Sequence, residues 1–163
     1  MGVRNLGELG INLQNMVTRL MANDELVKLL YYPNQDPLGQ SNLTTIEKQT
    51  EIFQKLIKVV PNIPLREDNR STIAIYVTHS SKIAANKEFR NIAVVVDCVV
   101  PLDTWLIKDS NLRPFAILGE IHKALDDKVI NGLGRLESGD FGLVDLTDEN
   151  SVYRLNFTLV DYD

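Results

Sequence analysis

The chain has 163 residues, 44% of them hydrophobic and 24% charged, with a formal charge of −5 from 17 Lys plus Arg against 22 Asp plus Glu. A chain of this length buries about two thirds of its unfolded surface and needs no metal or disulfide staple. The acidic balance disfavours a general nucleic-acid binder, whose affinity comes from clustered Lys and Arg. Apolar runs such as 92–96 fall far short of the roughly 20 residues that span a bilayer, and the first ten residues lack a signal-peptide core, so a soluble protein without a membrane partner is expected.

The N-terminal third reads as helical. Leu6, Leu9, Leu13, Met16, Val17, Leu20 and Met21 recur in steps of three and four, which places one apolar stripe along a helix. Asn5 and Glu8 have capping-box spacing. Asn23 or Asp24 caps a second helix carrying Leu26, Val27, Leu29 and Leu30, and Pro33 ends it. Residues 33–42, rich in Pro, Gly, Asn and Ser, form an exposed loop. Thr44 and Glu47 make a better capping box, and Ile46, Phe53, Leu56, Ile57 and Val60 continue at helical spacing to Pro61.

The remainder alternates differently. Ile73, Ile75 and Val77 against Thr72, Ala74, Tyr76 and Thr78 predict a strand over 71–78 with one buried face. Residues 91–100 are apolar on both faces except at Asp97, which predicts a central strand closed by Pro101. The link between them, which contains SSKIAANKEF, suits an antiparallel hairpin with a projecting loop. Pro114 opens a helix whose stripe, Leu118, Ile121, Leu125 and Val129, runs to Ile130, where the glycines of N-G-L-G serve as a left-handed C-cap. Residues 134–146 and the alternating set Tyr153, Leu155, Phe157 and Leu159 predict two further strands joined by the turn at 147–150. The expectation is an α+β fold: N-terminal helices over 1–62, then over 63–163 a four-stranded, mostly antiparallel β-β-α-β-β sheet backed by a helix.

Chemistry-bearing constellations are sparse. His79 beside Ser80 and Ser81 can be drawn as a base with its nucleophile, yet no G-x-S-x-G elbow surrounds it and adjacent strand residues point to opposite faces. A structural histidine is the competing reading. His122 falls one step off its helix's apolar stripe. One Cys and two scattered His give no zinc-ligand spacing; the acidic run 145–150 lacks the central Gly of a calcium loop; and G-L-G-R at 132–135 precedes a strand, the reverse of a phosphate cradle. No metal or other cofactor is expected. Cys98 reads as a small buried hydrophobe, and with no second cysteine it forms no intramolecular disulfide. Asp97, if buried, must be paired or hydrogen-bonded. Lys82, Lys87 and Arg90, with Arg66 and Arg70, form a mixed surface with Asp68 and Glu88 interleaved.

The long hairpin (71–78 with 91–100), the helix PFAILGEIHKALDDKVI and the ending GLGRLESGDFGLVDLTDENSVYRLNFTLVDYD resemble the tail-terminator and neck proteins of long-tailed bacteriophages. That resemblance implies a non-enzymatic virion component, assembled in the host cytoplasm. It would form a six-membered ring that caps the tail tube and meets the head-tail connector or head-closure protein, while DNA passes through the lumen without specific binding. Lys82, Lys87, Glu88 and Arg90 at the hairpin loop become interface candidates, as do Trp105 and Ile107 in the loop 102–113. Trp105 has a competing reading as a core plug under that loop. The helical N-terminal third departs from the smallest such proteins and leaves a head-closure or collar role open. The alternative is a small hydrolase or ligand-binding domain using His79, Ser80 and Asp97.

Overall fold

The computed structural model describes residues 6–61, 67–82 and 90–160. Its first long element is α1 (Leu9–Met21), entered through a 3-10 turn at Leu6–Glu8. Leu13, Met16, Val17, Leu20 and Met21 are buried along one stripe, as their spacing requires, whereas Leu6 stays exposed. Asn5 lies outside the described residues. The next helix, α2 (Asp24–Tyr31), starts on Asn23, whose side-chain oxygen accepts the Leu26 amide at 3.0 Å and so satisfies one otherwise orphaned donor.

Thr44 and Glu47 form the expected capping box, with the Thr44 amide donating to Glu47 Oε2 at 2.7 Å and the Glu47 amide to Thr44 Oγ1 at 3.2 Å. The helix they open is nevertheless short. α3 (Thr45–Glu47) passes into a π turn (Lys48–Ile52) and stops, so the helix expected to reach Val60 is corrected here. Gln54 takes φ 59°, which a right-handed helix does not continue through. Leu56 and Ile57 are instead buried where the chain forms β1 (Ile57–Lys58). Ile46, placed on the buried stripe by spacing alone, is 76% exposed.

The long hairpin is β2 (Thr72–Lys82) and β3 (Arg90–Pro101), antiparallel as expected, with a bulge between Val77 and His79. A small hairpin, β4 (Leu106–Ile107) and β5 (Asn111–Leu112), leads into α4 (Arg113–Leu125), which carries Pro114 in its first turn. β6 (Val129–Ile130), β7 (Gly134–Leu146) and β8 (Asn150–Val160) complete the chain. The main sheet has six strands in the order β1-β2-β3-β8-β7-β6, not four. Its four central strands are the expected ones. The two marginal strands are two residues long and sit inside stretches whose spacing mimics a helix.

The helix expected to run to Ile130 ends at Leu125 because β7 captures the chain beyond it. The Asp127 amide donates to the Leu136 carbonyl at 2.9 Å, Asp127 takes φ 55°, and Asp126 Oδ1 accepts the Ser138 amide at 2.8 Å. The Ser138 bond also holds the Asp126 carboxyl below its usual range. Gly132 and Gly134, with φ 81° and 107°, therefore serve the β6–β7 turn and not a helix cap. From α1, Asn12 Nδ2 donates to the Gly132 carbonyl at 3.0 Å and Asn15 Nδ2 to the Asn131 carbonyl at 2.8 Å.

Register sorts the sheet into two faces. Ile73, Ile75, Val94, Val96, Cys98, Leu155 and Phe157 share one face and are buried, with α4 against β3 and β7 and with α1 and α2 against α4. One core cluster runs from Leu13 to Leu159.

Arg113 closes the helical layer and is only 1% exposed. Its Nε donates to the Thr104 carbonyl at 2.7 Å, its Nη1 to Leu29 and Tyr32 at 2.6 and 2.9 Å, and its Nη2 to Asn34 at 2.5 Å. Burial pulls its pKa down to about 10, which leaves it charged at neutral pH. Among the described residues its partners are all main-chain carbonyls, two of them at the negative end of α2. Arg113→Ala should lower the unfolding free energy by on the order of 3–5 kcal/mol in a urea titration, because buried acceptors lose their donors and a cavity opens. Arg113→Lys should recover only part of it, since an ammonium cannot reproduce the planar fork.

Candidate interaction surface

Opposite the helical layer, the sheet carries one polar cluster. Asp97 lies across from Arg154 in register, and its carboxylate accepts Arg154 Nε at 2.8 Å on Oδ1 and Nη2 at 3.0 Å on Oδ2. The Tyr76 hydroxyl donates to Asp97 Oδ2 at 2.5 Å and accepts from Arg154 Nη2 at 2.6 Å. The buried carboxylate is thus satisfied, as the sequence demands of it. Burial, and then the bond to Asp97, push the Tyr76 phenol above its ordinary value, while the bond to Asp97 raises the Arg154 guanidinium. This closed triad borders a groove of about 620 Å³ lined by Ala74, Val99, Val144, Asp145 and Val152. Each member is hydrogen-bonded to the other two, so the cluster ties three adjacent strands together.

A second surface is apolar. Phe141 is 60% exposed and Leu146 59%, with Leu143 and Phe115 also open to solvent. Between α4 and β7 an open groove of about 380 Å³ is lined by Phe115, Leu118, Gly119, His122, Phe141 and Leu155. The outer edge of β7 is covered only near its start: β6 pairs with Gly134 and Arg135, and Asp126 reaches Ser138. Among the described residues no strand pairs with that edge from 139 to 146. Large apolar side chains beside an open strand edge are the arrangement that soluble proteins avoid unless another chain covers it.

The residues singled out from sequence are scattered. His79 is exposed just past the β2 bulge and pairs with Ala93, four residues from Asp97 along β3, or about 13 Å at strand rise. Ser80 follows it in β2, while Asp97 is committed to Tyr76 and Arg154, so these three do not converge. Lys87, Glu88 and Arg66 lie outside the described residues; Lys82 and Arg90 are cross-strand partners at the far end of the hairpin. Arg70 does not face an open surface: it donates to the Tyr31 carbonyl at 3.0 Å and stacks on that ring at 4.1 Å.

Ile107, considered for an exposed anchor, is 5% exposed and belongs to the core, because the β4–β5 hairpin folds it inward. Trp105 is half-buried, donating from Nε1 to Ser151 Oγ at 3.1 Å and packing on Tyr153. Cys98 is fully buried, and burial raises its thiol pKa. Among the described residues no group of three or more His, Cys, Asp or Glu is placed to hold a metal ion, and no helix is long and apolar enough to cross a membrane. Phe115, Phe141, Leu143 and Leu146 escape a sequence reading because their alternation is that of any half-buried strand or helix; only their exposure in the folded chain distinguishes them.

The fold is therefore mixed α+β with a curled six-stranded sheet under a helical layer, and residues 23–159 match the model of a phage-associated protein family. That family is YomW, and the chain belongs to it. No curated protein matches the chain.

The triad's energetics can be tested directly. Asp97→Asn should cost on the order of 1.5–3 kcal/mol of stability in denaturant titration, since Arg154 then loses its charged acceptor. The raised Tyr76 pKa means the folded state retains the phenolic proton above its ordinary value of 10.0, so stability is unaffected below that pH and falls as pH rises beyond it. Absorbance titration near 295 nm should show a late tyrosine component that disappears in Tyr76→Phe.

Proposed function

We propose that the protein is a structural component of a phage virion: a neck protein that forms a ring, terminates the tail tube and joins it to the head-tail connector or head-closure protein, without catalysing a reaction. Membership of a phage-associated family supports the phage setting. The observation that carries the structural role is the exposed apolar strip of Phe115, Phe141, Leu143 and Leu146, a surface suited to burial against protein. Repeated self-contact through two different patches closes into a ring when the rotation per copy divides the circle. Six copies at −5 each would surround the passage with strong negative charge, and a lumen lined by part of it repels the DNA backbone and lets it slide through.

The chain alone, and the chain mixed with tail-tube subunits, should give species of fixed stoichiometry by native mass spectrometry and sedimentation. A monomer that persists at high concentration and ignores the tube protein would sink the reading.

A further inference from the structure

Two open strand edges lie at opposite sides of the same sheet. On one margin β1 pairs only with Ile73 and Ala74, so among the described residues β2 has no outer partner strand from 75 to 82. On the other margin β7 has none from 139 to 146. The two open stretches are of equal length, and their charges are opposite in character. Residues 137–149 hold Glu137, Asp140, Asp145, Asp148 and Glu149 with no Lys or Arg, whereas 75–82 hold Lys82 and His79 with no carboxylate, and Arg90 pairs with Lys82 across the hairpin.

We propose that the β7 edge of one copy adds to the β2 edge of a second copy, so that the ring inferred above, on which this rests, is joined by a sheet running from subunit to subunit. Within one chain β2, β3, β8 and β7 alternate in direction, so a neighbour with its β2 in the same orientation meets β7 antiparallel and the alternation continues. Phe141 and Leu143 lie on the helix-side face, level in register with Ile75 and Ile73. Aligned end to end, 139–146 against 75–82 of the adjoining copy puts Leu146, on that same face, beside Ile75, so an apolar pair crosses the new junction. Bringing the two open stretches opposite one another offsets the copies by about five residues, a stagger of the kind that curling a sheet toward closure requires. Two β7 edges facing each other would instead bring Asp140 and Asp145 of each copy together, with Glu137, Asp148 and Glu149 flanking them, so like pairing is repelled and unlike pairing is selected.

The bulges supply variants that block one edge at a time. Thr78 and Val144 each fall in a bulge and have no register partner on the inner strand, so proline there removes an edge donor with least damage to the existing ladder. Thr78→Pro and Val144→Pro, each checked for native circular dichroism and cooperative unfolding, should both lose every species above monomer. An equimolar mixture should form a two-chain species and nothing larger, because one intact edge of each kind remains. Leu143→Lys, an edge-blocking charge that leaves the backbone unchanged, should behave as Val144→Pro does. Assembly of the unaltered chain should also slow amide exchange at 75–82 and 139–146 together. Variants that assemble like the unaltered chain would overturn edge pairing while leaving the ring intact. Self-association of Thr78→Pro through β7 alone would replace it with a symmetric contact, and an unaltered chain that stays monomeric would overturn both readings.

Discussion

A buried guanidinium organises this molecule. Arg113 begins α4, where its charge opposes the positive end of that helix's own dipole, so the position is tolerable only if acceptors surround it. They come from three places in the chain: the end of α2 (Leu29 and Tyr32), the loop after it (Asn34) and the turn after β3 (Thr104). Those segments are 70 residues or more apart in sequence at the extremes, and buried carbonyls such as these need donors. The helical layer consequently has one arrangement over the sheet. Asn23 adds a second tie of the same kind, capping α2 with its oxygen and donating to Glu120 of α4 at 3.0 Å with its nitrogen.

Fixing the helices over one face leaves the other to the strands themselves. There the Tyr76, Asp97 and Arg154 triad clamps β2, β3 and β8 side by side with bonds of 2.5–3.0 Å. The molecule presents an apolar strip on one side and, among the described residues, a stretch of strand edge without a partner on each margin, the β7 one acidic. They belong to a chain whose family is phage-associated.

Much of this architecture is legible in the residues. The Thr44 and Glu47 box, the Asn23 cap, the stop at Pro33 and the long hairpin all follow from local rules whose partners are three residues away or directly across a strand. Asp97 also announces itself, because a carboxylate in an apolar strand demands a partner; the identity of that partner, 57 residues on, does not follow from any local rule. The misreadings share one cause. Phe53, Leu56 and Ile57, and likewise Val129, satisfy helical spacing, but the tertiary pairing of β1 with β2 and of β6 with β7 overrides it. Arg113 looks like an ordinary surface arginine at a helix start, since its acceptors are carbonyls and carbonyls have no sequence signature. Ile107 is misplaced for a related reason: a short hairpin whose three-residue loop, Lys108–Ser110, holds Asp109 and Ser110 at φ 64° and 59° turns it inward without glycine or an Asn-Gly pair to mark the spot.

The turn between β6 and β7 is held from outside the sheet by Asn12 and Asn15, more than a hundred residues earlier in the chain. A pull applied along β7 would therefore not simply peel a marginal strand away from β8. It would load α1 in shear at the same moment, and tension entering at that rim of the molecule would be divided between the ladder and the helical bundle before either yielded.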